Sequence, residues 1–363
     1  MKPGRELGET ELLLKVDPGP FASGSIEFDN HGNRYTGGNR YSAQVNLNSP
    51  LGLGDLFSLR ATFGDPGLDL LYASYQLPLG PDGWRAGTDY TFSHYRLGSA
   101  FTPLEANGTA ETWRGFVARP LYAGPGLVLY ARLSYEAKTL QDRIDTTATV
   151  TDKSSGLTTF TLNGNSRDGL AGGGINSFSL GLGFGDLNIK SPAAKAIDDA
   201  TARSSGGFSK LNLSASRLQQ ISERVSLQLQ YQGQFASKNL DSSEKLVLGG
   251  AYGVRAYPQG EAPGDSGYLF SAELRYNVSV DGFPGTFQPL VFVDTGAVTV
   301  NENPFVAGQS NHRSLSAAGF GLNWVQQGDF ALRGVIAAKL GNARATSDTD
   351  KGARLWVQLI KYF

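Results

Sequence analysis

Cysteine is absent from the 363-residue chain and methionine occurs once. That excludes a disulfide framework and a thiolate-ligated metal site. No stretch reaches the roughly 18 consecutive apolar residues that a membrane-crossing helix needs. Charged residues make up only 18% of the chain and nearly cancel, to a formal net charge of −1. Such a balance gives no electrostatic footprint for nucleic acid. Histidine occurs three times, at His31, His94 and His312, which limits general acid–base chemistry. What remains is a chain with 47 glycines and 11% aromatic residues. That composition suits either a soluble β protein or a β-barrel whose strands alternate and so never look hydrophobic in a window average.

From Phe21 onward the pattern is uniform, with alternating runs separated by tight turns and longer loops in alternation. In Val225 to Phe235 the odd positions are apolar or aromatic apart from Gly233, and the even ones are Ser or Gln. Leu127 to Glu136 sets Arg132, Ser134 and Glu136 opposite an apolar odd face. Phe178, Leu180, Leu182 and Phe184 alternate with Ser179, Gly181, Gly183 and Gly185, which leaves room on the polar side. A soluble sandwich would place charge on its outer faces; here the polar faces carry Ser, Gln, Asn and Gly, and aromatics gather near strand ends as a membrane girdle. The reading is therefore all-β, a 16-stranded antiparallel transmembrane β-barrel spanning 21–363. Residues 1–20 read as the last strand of a preceding domain and its linker. No signal peptide precedes Met1-Lys2-Pro3-Gly4, so export to an outer membrane requires the chain to be a mature or truncated form.

The connections orient the barrel. Pro50 to Gly54, Leu79 to Asp82, Leu121 to Pro125 and Gln219 to Ser222 are short and follow even-numbered strands. They read as periplasmic turns, which makes the long connections 140–155, 187–205, 237–266 and 301–312 extracellular. The third of these, about 237–266, holds Gly249 to Asp265, where turn-forming Gly and Pro surround Val254, Arg255, Ala256 and Tyr257. Its Tyr252, Val254 and Tyr257 need a surface to bury against and Arg255 needs a counter-charge. The stretch reads as an ordered loop folded back into the lumen. Alternation puts Phe292, Asp294 and Gly296 on the lumen face of their strand, so Asp294 is free to pair with Arg255, and Glu273 is the rival partner. Gly296 and the glycine face of 174–186 are expected to give the loop clearance. The chain closes on an alternating run that ends at Phe363.

Together these residues resemble the two-partner secretion transporters, the hemolysin and filamentous-hemagglutinin secretion/activation proteins, a family in the superfamily of barrel-assembly factors. Val254-Arg255-Ala256-Tyr257 resembles the family's Val-Arg-Gly-Tyr/Phe loop motif, with Ala256 where Gly is usual. Phe292-Val293-Asp294-Thr295-Gly296 is similar to its Phe-x-Asp-x-Gly strand motif. Asp29-Asn30-His31-Gly32 is similar to the Asp-Asn-x-Gly opening of the first hairpin. Phe363 resembles the C-terminal signal by which such barrels are recognised for assembly, although Lys361 stands where an apolar residue is usual. The resemblance implies a pore in the Gram-negative outer membrane that passes an unfolded secreted partner of hemolysin, adhesin or hemagglutinin type to the cell surface, without nucleotide hydrolysis. It also implies contact with outer-membrane lipid and lipopolysaccharide, and with the barrel-assembly machinery during biogenesis. By the same resemblance, the remnant over 1–20 belongs to a periplasmic (POTRA) domain.

Rival readings are a barrel-assembly factor and a general diffusion porin. An enzyme is not expected. Gly264-Asp265-Ser266-Gly267 copies the nucleophile motif of trypsin-like proteases, but no histidine is placed to serve Ser266. The Gly181-x-Gly183-x-Gly185 run lies within a strand, with no helix after it to cradle a phosphate. Asp29, Asn30 and Asn33 read as a turn before a cation site. No catalytic residue, metal or cofactor is assigned.

Overall fold

Alternation of period two makes each strand apolar on one face, and closing the sheet removes its edges, so the apolar face can meet lipid without leaving backbone groups unpaired. The computed structural model describes residues 2–3, 10–11, 19–65 and 67–363. Its sixteen long strands form one closed antiparallel barrel, each paired with its sequence neighbours. The first four are β1 (Ala22–Asp29), β2 (Asn39–Asn48), β3 (Leu56–Asp65) and β4 (Leu68–Leu79). They are followed by β5 (Trp84–Arg96), β6 (Ala106–Ala123), β7 (Leu127–Ile144) and β8 (Thr149–Asp168). The second half comprises β9 (Gly174–Ile189), β10 (Gly206–Gln220), β11 (Val225–Ala236) and β12 (Ser266–Tyr276). It ends with β13 (Thr286–Thr299), β14 (His312–Gln326), β15 (Phe330–Lys339) and β16 (Ala353–Tyr362). The remnant expected over 1–20 lies mostly outside the described residues.

Burial is inverted relative to a water-soluble protein. Large apolar side chains on the outward faces stand free, with Phe160 53% and Phe320 62% exposed. The main buried apolar cluster instead lies inside the lumen, against one wall.

Short turns close one end of the barrel. In the β2–β3 turn, Asp55 accepts from the amides of Leu51 (3.2 Å) and Leu53 (3.1 Å) and from the Tyr75 hydroxyl (2.8 Å). The other end is ragged. The segment 140–155, expected as a connection, is instead the upper arm of the β7–β8 hairpin, whose turn is the short helical segment Asp145–Thr147 with Ala148 at φ +50°. Beyond the lipid the outward face no longer has to be apolar, so the strands continue after the hydrophobic alternation stops. The connection after β9 holds α1 (Pro192–Ala200), with Pro at its first turn. The Asp198 carboxylate ends this excursion by accepting from the amides of Ser204 (2.9 Å) and Ser205 (3.0 Å).

Closure of the barrel is weakest between β16 and β1. Five residue pairs join them, from Gln358–Asp29 to Tyr362–Ser25, against eight or more at every other junction. Phe363 extends this ladder by exchanging both backbone bonds with Gly24 (2.8 and 3.1 Å). Its ring lies over Gly24, where a Cβ would meet it at 2.5 Å. Lys361 points outward near the same end and pairs with Asp329 of the β14–β15 turn.

Candidate functional site: an arginine loop docked on the barrel wall

The β11–β12 connection, 237–265, turns inward and crosses the lumen. Its tip is a β-turn in which the Tyr257 amide donates to the Val254 carbonyl (3.0 Å). Val254 and Tyr257, at the two ends of the turn, enter the buried apolar cluster with Leu248, Leu290, Phe292 and Leu315. Arg255, at the second position, is left pointing at the barrel wall. The four-residue motif thus separates its tasks: its ends bury apolar surface and its middle delivers one cation. Ala256, where the family has Gly, does not have a positive φ, and its methyl group is fully buried in the same cluster. The backbone conformations that favour glycine fall on either side, at Gly250 (φ +131°) and Gly260 (φ +89°).

Arg255 meets both of its candidate partners. Its Nε donates to Asp294 Oδ2 (2.9 Å) and its Nη2 to Asp294 Oδ1 (2.8 Å), a fork-to-fork contact. Its Nη1 donates to Glu273 Oε2 (2.8 Å), and its amide also donates to Asp294 Oδ2 (3.2 Å). Asp294 further accepts from the Ser271 hydroxyl (2.8 Å), while Arg275 Nε donates to Glu273 Oε1 (2.6 Å). The guanidinium carbon lies 3.3 Å from the centre of the Phe292 ring. Burial works against the charge on Arg255, but Asp294 and then Glu273 outweigh it and hold its pKa above the ordinary arginine value. The strand motif around Asp294 therefore has three uses: Phe292 supplies the ring, Asp294 the carboxylate and Gly296 the space. A Cβ at Gly296 would stand 2.8 Å from the Tyr268 carbonyl oxygen and 2.9 Å from Leu248 Cδ2, so glycine makes room for the adjoining strand and for this loop side chain.

The glycines of β9 do not share that task. A Cβ at Gly185 would strike the Phe208 ring (2.4 Å) and one at Gly183 would crowd Leu157 (3.1 Å). Both neighbours belong to the adjoining strands β10 and β8, so the clearance expected for the loop serves the far wall instead.

The first-hairpin motif adjoins the docked tip. Asp29 is gripped by Arg40 (2.8 and 3.1 Å) and accepts from the His31 amide (2.8 Å). Asn30 carries the ladder one step past the end of β1. Its amide donates to the Val357 carbonyl (3.2 Å), its Oδ1 accepts from the Val357 amide (2.8 Å), and its Nδ2 donates to the Leu355 carbonyl (3.0 Å). Gly32 is obligatory, because a Cβ there would lie 1.8 Å from the Gly37 carbonyl oxygen. His31 is buried, edge-on to both Tyr252 (5.3 Å) and Trp356 (5.7 Å), and burial lowers its pKa. Trp356 Nε1 donates to the Arg255 carbonyl (2.7 Å). The tip is thus tied to β12, β13 and β16 at once.

Two further anchors escaped the sequence reading. Glu261, fully buried, accepts from the amides of Thr346 (2.8 Å) and Ser347 (2.7 Å), from both their hydroxyls, and from Arg313 (2.6 Å). Burial pushes its carboxyl up, but these donors outweigh it and hold the pKa below the usual glutamate value. It clamps the returning limb of the loop to the β15–β16 connection. Asp265, also fully buried, accepts from the amides of Leu240 (3.0 Å) and Glu302 (2.8 Å) and from Lys245 (2.5 Å). Its neighbour Ser266 donates to Glu302 (2.8 Å), so the protease-like quartet is a loop-to-strand junction. No sequence signal marks Glu261, since Thr346 and Ser347 lie 85 and 86 residues away on a connection with no motif and Arg313 comes from β14.

Comparison with known proteins agrees with this fold. The family model for haemolysin secretion/activation protein ShlB/FhaC/HecB matches residues 8–324. The chain is 28% identical to the heme/hemopexin transporter protein HuxB of Haemophilus influenzae strain 86-028NP, over 99% of the chain and 63% of that protein. It is 23% identical to the outer membrane transporter CdiB of Dickeya dadantii, over 76% of the chain and 49% of that protein. The chain therefore spans less than two thirds of the curated relatives it matches. Among solved structures, CdiB from Escherichia coli shares the fold with a TM-score of 0.83 at 19% identity, covering 99% of the chain and 66% of that structure. BamA from Haemophilus ducreyi shares it more loosely, at TM-score 0.62 and 13% identity, over 94% of the chain and 70% of that structure. The chain is a Gram-negative outer-membrane β-barrel and belongs to the haemolysin secretion/activation family of ShlB, FhaC and HecB.

Proposed function

We propose that this barrel is the translocation unit of a two-partner secretion transporter, passing an unfolded secreted partner of hemolysin, adhesin or hemagglutinin type from periplasm to cell surface. The observation that carries the reading is Arg255 held between Asp294 and Glu273 inside a sixteen-stranded barrel, on a chain of this family. A barrel of this strand number encloses an aqueous channel, and a loop anchored in the lumen makes that channel regulated where a porin's is permanently open. Transport needs no nucleotide: ordering of the partner outside releases free energy on one side only, which gives direction. No catalytic role is assigned to any residue. Residues 1–20 are taken as the end of a preceding periplasmic domain and its linker. Val254–Tyr257 act as the lumen-loop motif, Phe292, Asp294 and Gly296 as its wall partner, Asp29, Asn30 and Gly32 as the seam hairpin, and Phe363 as the assembly signal read by the barrel-assembly machinery. The outward apolar band contacts outer-membrane lipid and lipopolysaccharide.

The test is surface delivery of a co-expressed secreted partner by the transporter carrying its periplasmic domains. The partner should reach the surface, and a stalled partner should cross-link to the lumen residues Gln228 or Gln230. Delivery without any lumen cross-link would refute passage through the barrel. The five-pair seam between β16 and β1 favours a second reading, barrel assembly through a lateral opening. Loss of other outer-membrane proteins on depletion of this chain, with the secreted partner unaffected, would establish that reading instead.

A further inference from the structure

The lumen has two unlike walls. On the side where the loop tip docks, inward-facing residues are charged and committed to one another, as in Arg60–Glu27 (2.7 Å), Arg40–Asp29 and the Arg255 cluster. The β8–β11 wall differs. Between Lys210 near its outer mouth and Arg167 at the other end, its inward residues are neutral hydrogen-bonding groups such as Thr161, Asn163, Ser179, Asn212, Ser214 and Gln230. Along it run cavities of ≈ 320 and 290 Å³ lined by such groups, and they share lining residues with a third of ≈ 410 Å³ at the outer mouth, where Arg114, Arg132, Glu136 and Lys138 of β6 and β7 also face the space. The first also shares Gln230 and Gln232 with a cavity of ≈ 510 Å³ beneath Arg255. The glycines of β9 keep the wall low.

The outer end of this lane is crossed by the limb of the loop that descends from β11. Asp241, which caps the short helical turn Ser242–Glu244, pairs with Lys153 of β8 (2.7 Å). Glu244 pairs with Lys138 of β7 and Lys210 of β10, each at 2.5 Å. Ser243 and Glu244 line the outermost cavity, and Leu246 lines the next. Asp241 and Glu244 are themselves buried, but Glu244 borders the outermost cavity, whereas Asp294 lies beside the apolar cluster under Arg255. Among the loop's attachments at Asp241–Glu244, Arg255, Glu261 and Asp265, the strap is the one whose ion pairs border a cavity, so water can enter as they part.

We propose that the neutral β8–β11 wall is the contact lane for an extended polypeptide, closed at its outer mouth by the Asp241–Glu244 strap, which lifts while the Arg255 tip stays docked. This rests on the translocation reading. Hydroxyl and amide side chains both donate and accept, so they can serve the backbone of any extended sequence. Between Arg167 at its inner end and the charged groups of the outer cavity the wall carries no fixed charge, so an oppositely charged segment has no site there at which to stall, and passage requires contacts weak enough to leave.

The absence of native cysteine makes the test direct. In a planar bilayer the double substitution Asp241→Asn, Glu244→Gln should raise the mean current about twofold or more, with Lys210→Met as an independent way to loosen the strap. Heat-modifiable migration on a gel confirms a folded barrel in each case. In the loosened background, a bulky thiosulfonate reagent on Ser214→Cys, in the lane, should cut the current by about half or more. The same reagent on Asn46→Cys of the opposite wall should leave it nearly unchanged. A photo-cross-linker at position 214 should capture an uncharged peptide of Ser, Asn, Gly and Val, and one at position 46 should not. Equal effects at the two positions, or no rise in current on loosening the strap, would overturn the proposal. Those outcomes are separable from failure of the translocation reading, which is decided by delivery of the secreted partner.

Discussion

Replacing Asp294 by Ala removes the carboxylate that accepts from the Arg255 amide, from two guanidinium nitrogens and from Ser271. The barrel ladder is untouched, because β12–β13 and β13–β14 pair through the backbone. The loss therefore falls on docking of the loop. Arg255 keeps the neutral Ser271 hydroxyl and, of its carboxylates, only Glu273, which it shares with Arg275, so the site is left with a cation in excess inside a buried cluster. Breaking one side of such a pair costs about 3–5 kcal/mol. At about 1.4 kcal/mol per decade, local opening of the tip should rise by roughly two to four orders of magnitude. Hydrogen–deuterium exchange of the detergent-solubilised barrel reads this at the Val254 and Tyr257 amides, which donate within the tip (2.7 and 3.0 Å), with β8–β9 peptides as the internal control. Glu273→Gln should act in the same direction and less strongly, because a neutral acceptor remains and Asp294 keeps its fork. If exchange at Val254 were the same in Asp294→Ala as in the parent chain, the tip would be held by its apolar contacts alone, and the charge argument would be wrong.

Arg255→Ala should turn a small or flickering single-channel current into a larger, steadier one as the tip leaves the lumen; identical currents would mean that the tip does not obstruct the pore. Glu261 titrates below the ordinary glutamate range when folded, so its clamp is complete above the unfolded pKa and is lost as pH falls through the lower folded value. A spin label at Lys351→Cys should accordingly stay immobile through the ordinary glutamate range and loosen only at pH below it, whereas Glu261→Ala should be mobile throughout; mobility rising near neutrality would refute the clamp. Asn30→Ala removes two side-chain hydrogen bonds to β16, worth about 1 kcal/mol each, and should lower the unfolding temperature of the detergent-solubilised barrel and speed disulfide trapping between cysteines placed across an opened seam. Gly32→Val should abolish the heat-modifiable folded form, since the added side chain has no space beside Gly37.

The sixteen strands were legible because alternation is enforced wherever one face must meet lipid. It failed where that pressure stops, as in the arms of β7 and β8 above the membrane, which carry polar residues on both faces. The Arg255 site was legible for a different reason. A single cation set among Val and Tyr must find a carboxylate, and lumen-facing carboxylates are few enough on a known strand face for Asp294 and Glu273 to be named. Alternation alone could not choose between them, and the geometry shows why: the guanidinium has donors for both. Glu261, Asp241 and Glu244 were not legible, since their partners come from other connections or from several strands at once, and nothing local to a loop records which wall it crosses.

This difference bears on how a loop that fills a pore can also let a chain through. An anchor and a gate make opposite demands, because an anchor should be buried and over-determined while a gate should break at low cost. Had one ion pair served both, each opening would have uncovered the Arg255 charge at about 3–5 kcal/mol. The chain separates them along one connection. Arg255 meets Asp294 at the centre of an apolar cluster, and Glu261 holds the returning limb. The descending limb rests on Lys138, Lys153 and Lys210 beside a cavity, while Leu240 and Lys245 tie it to Asp265 at its base. A loop pinned at its tip, at Glu261 and at Asp265 can part its cavity-side ion pairs without leaving the barrel, so the most heavily bonded site need not be the part that moves.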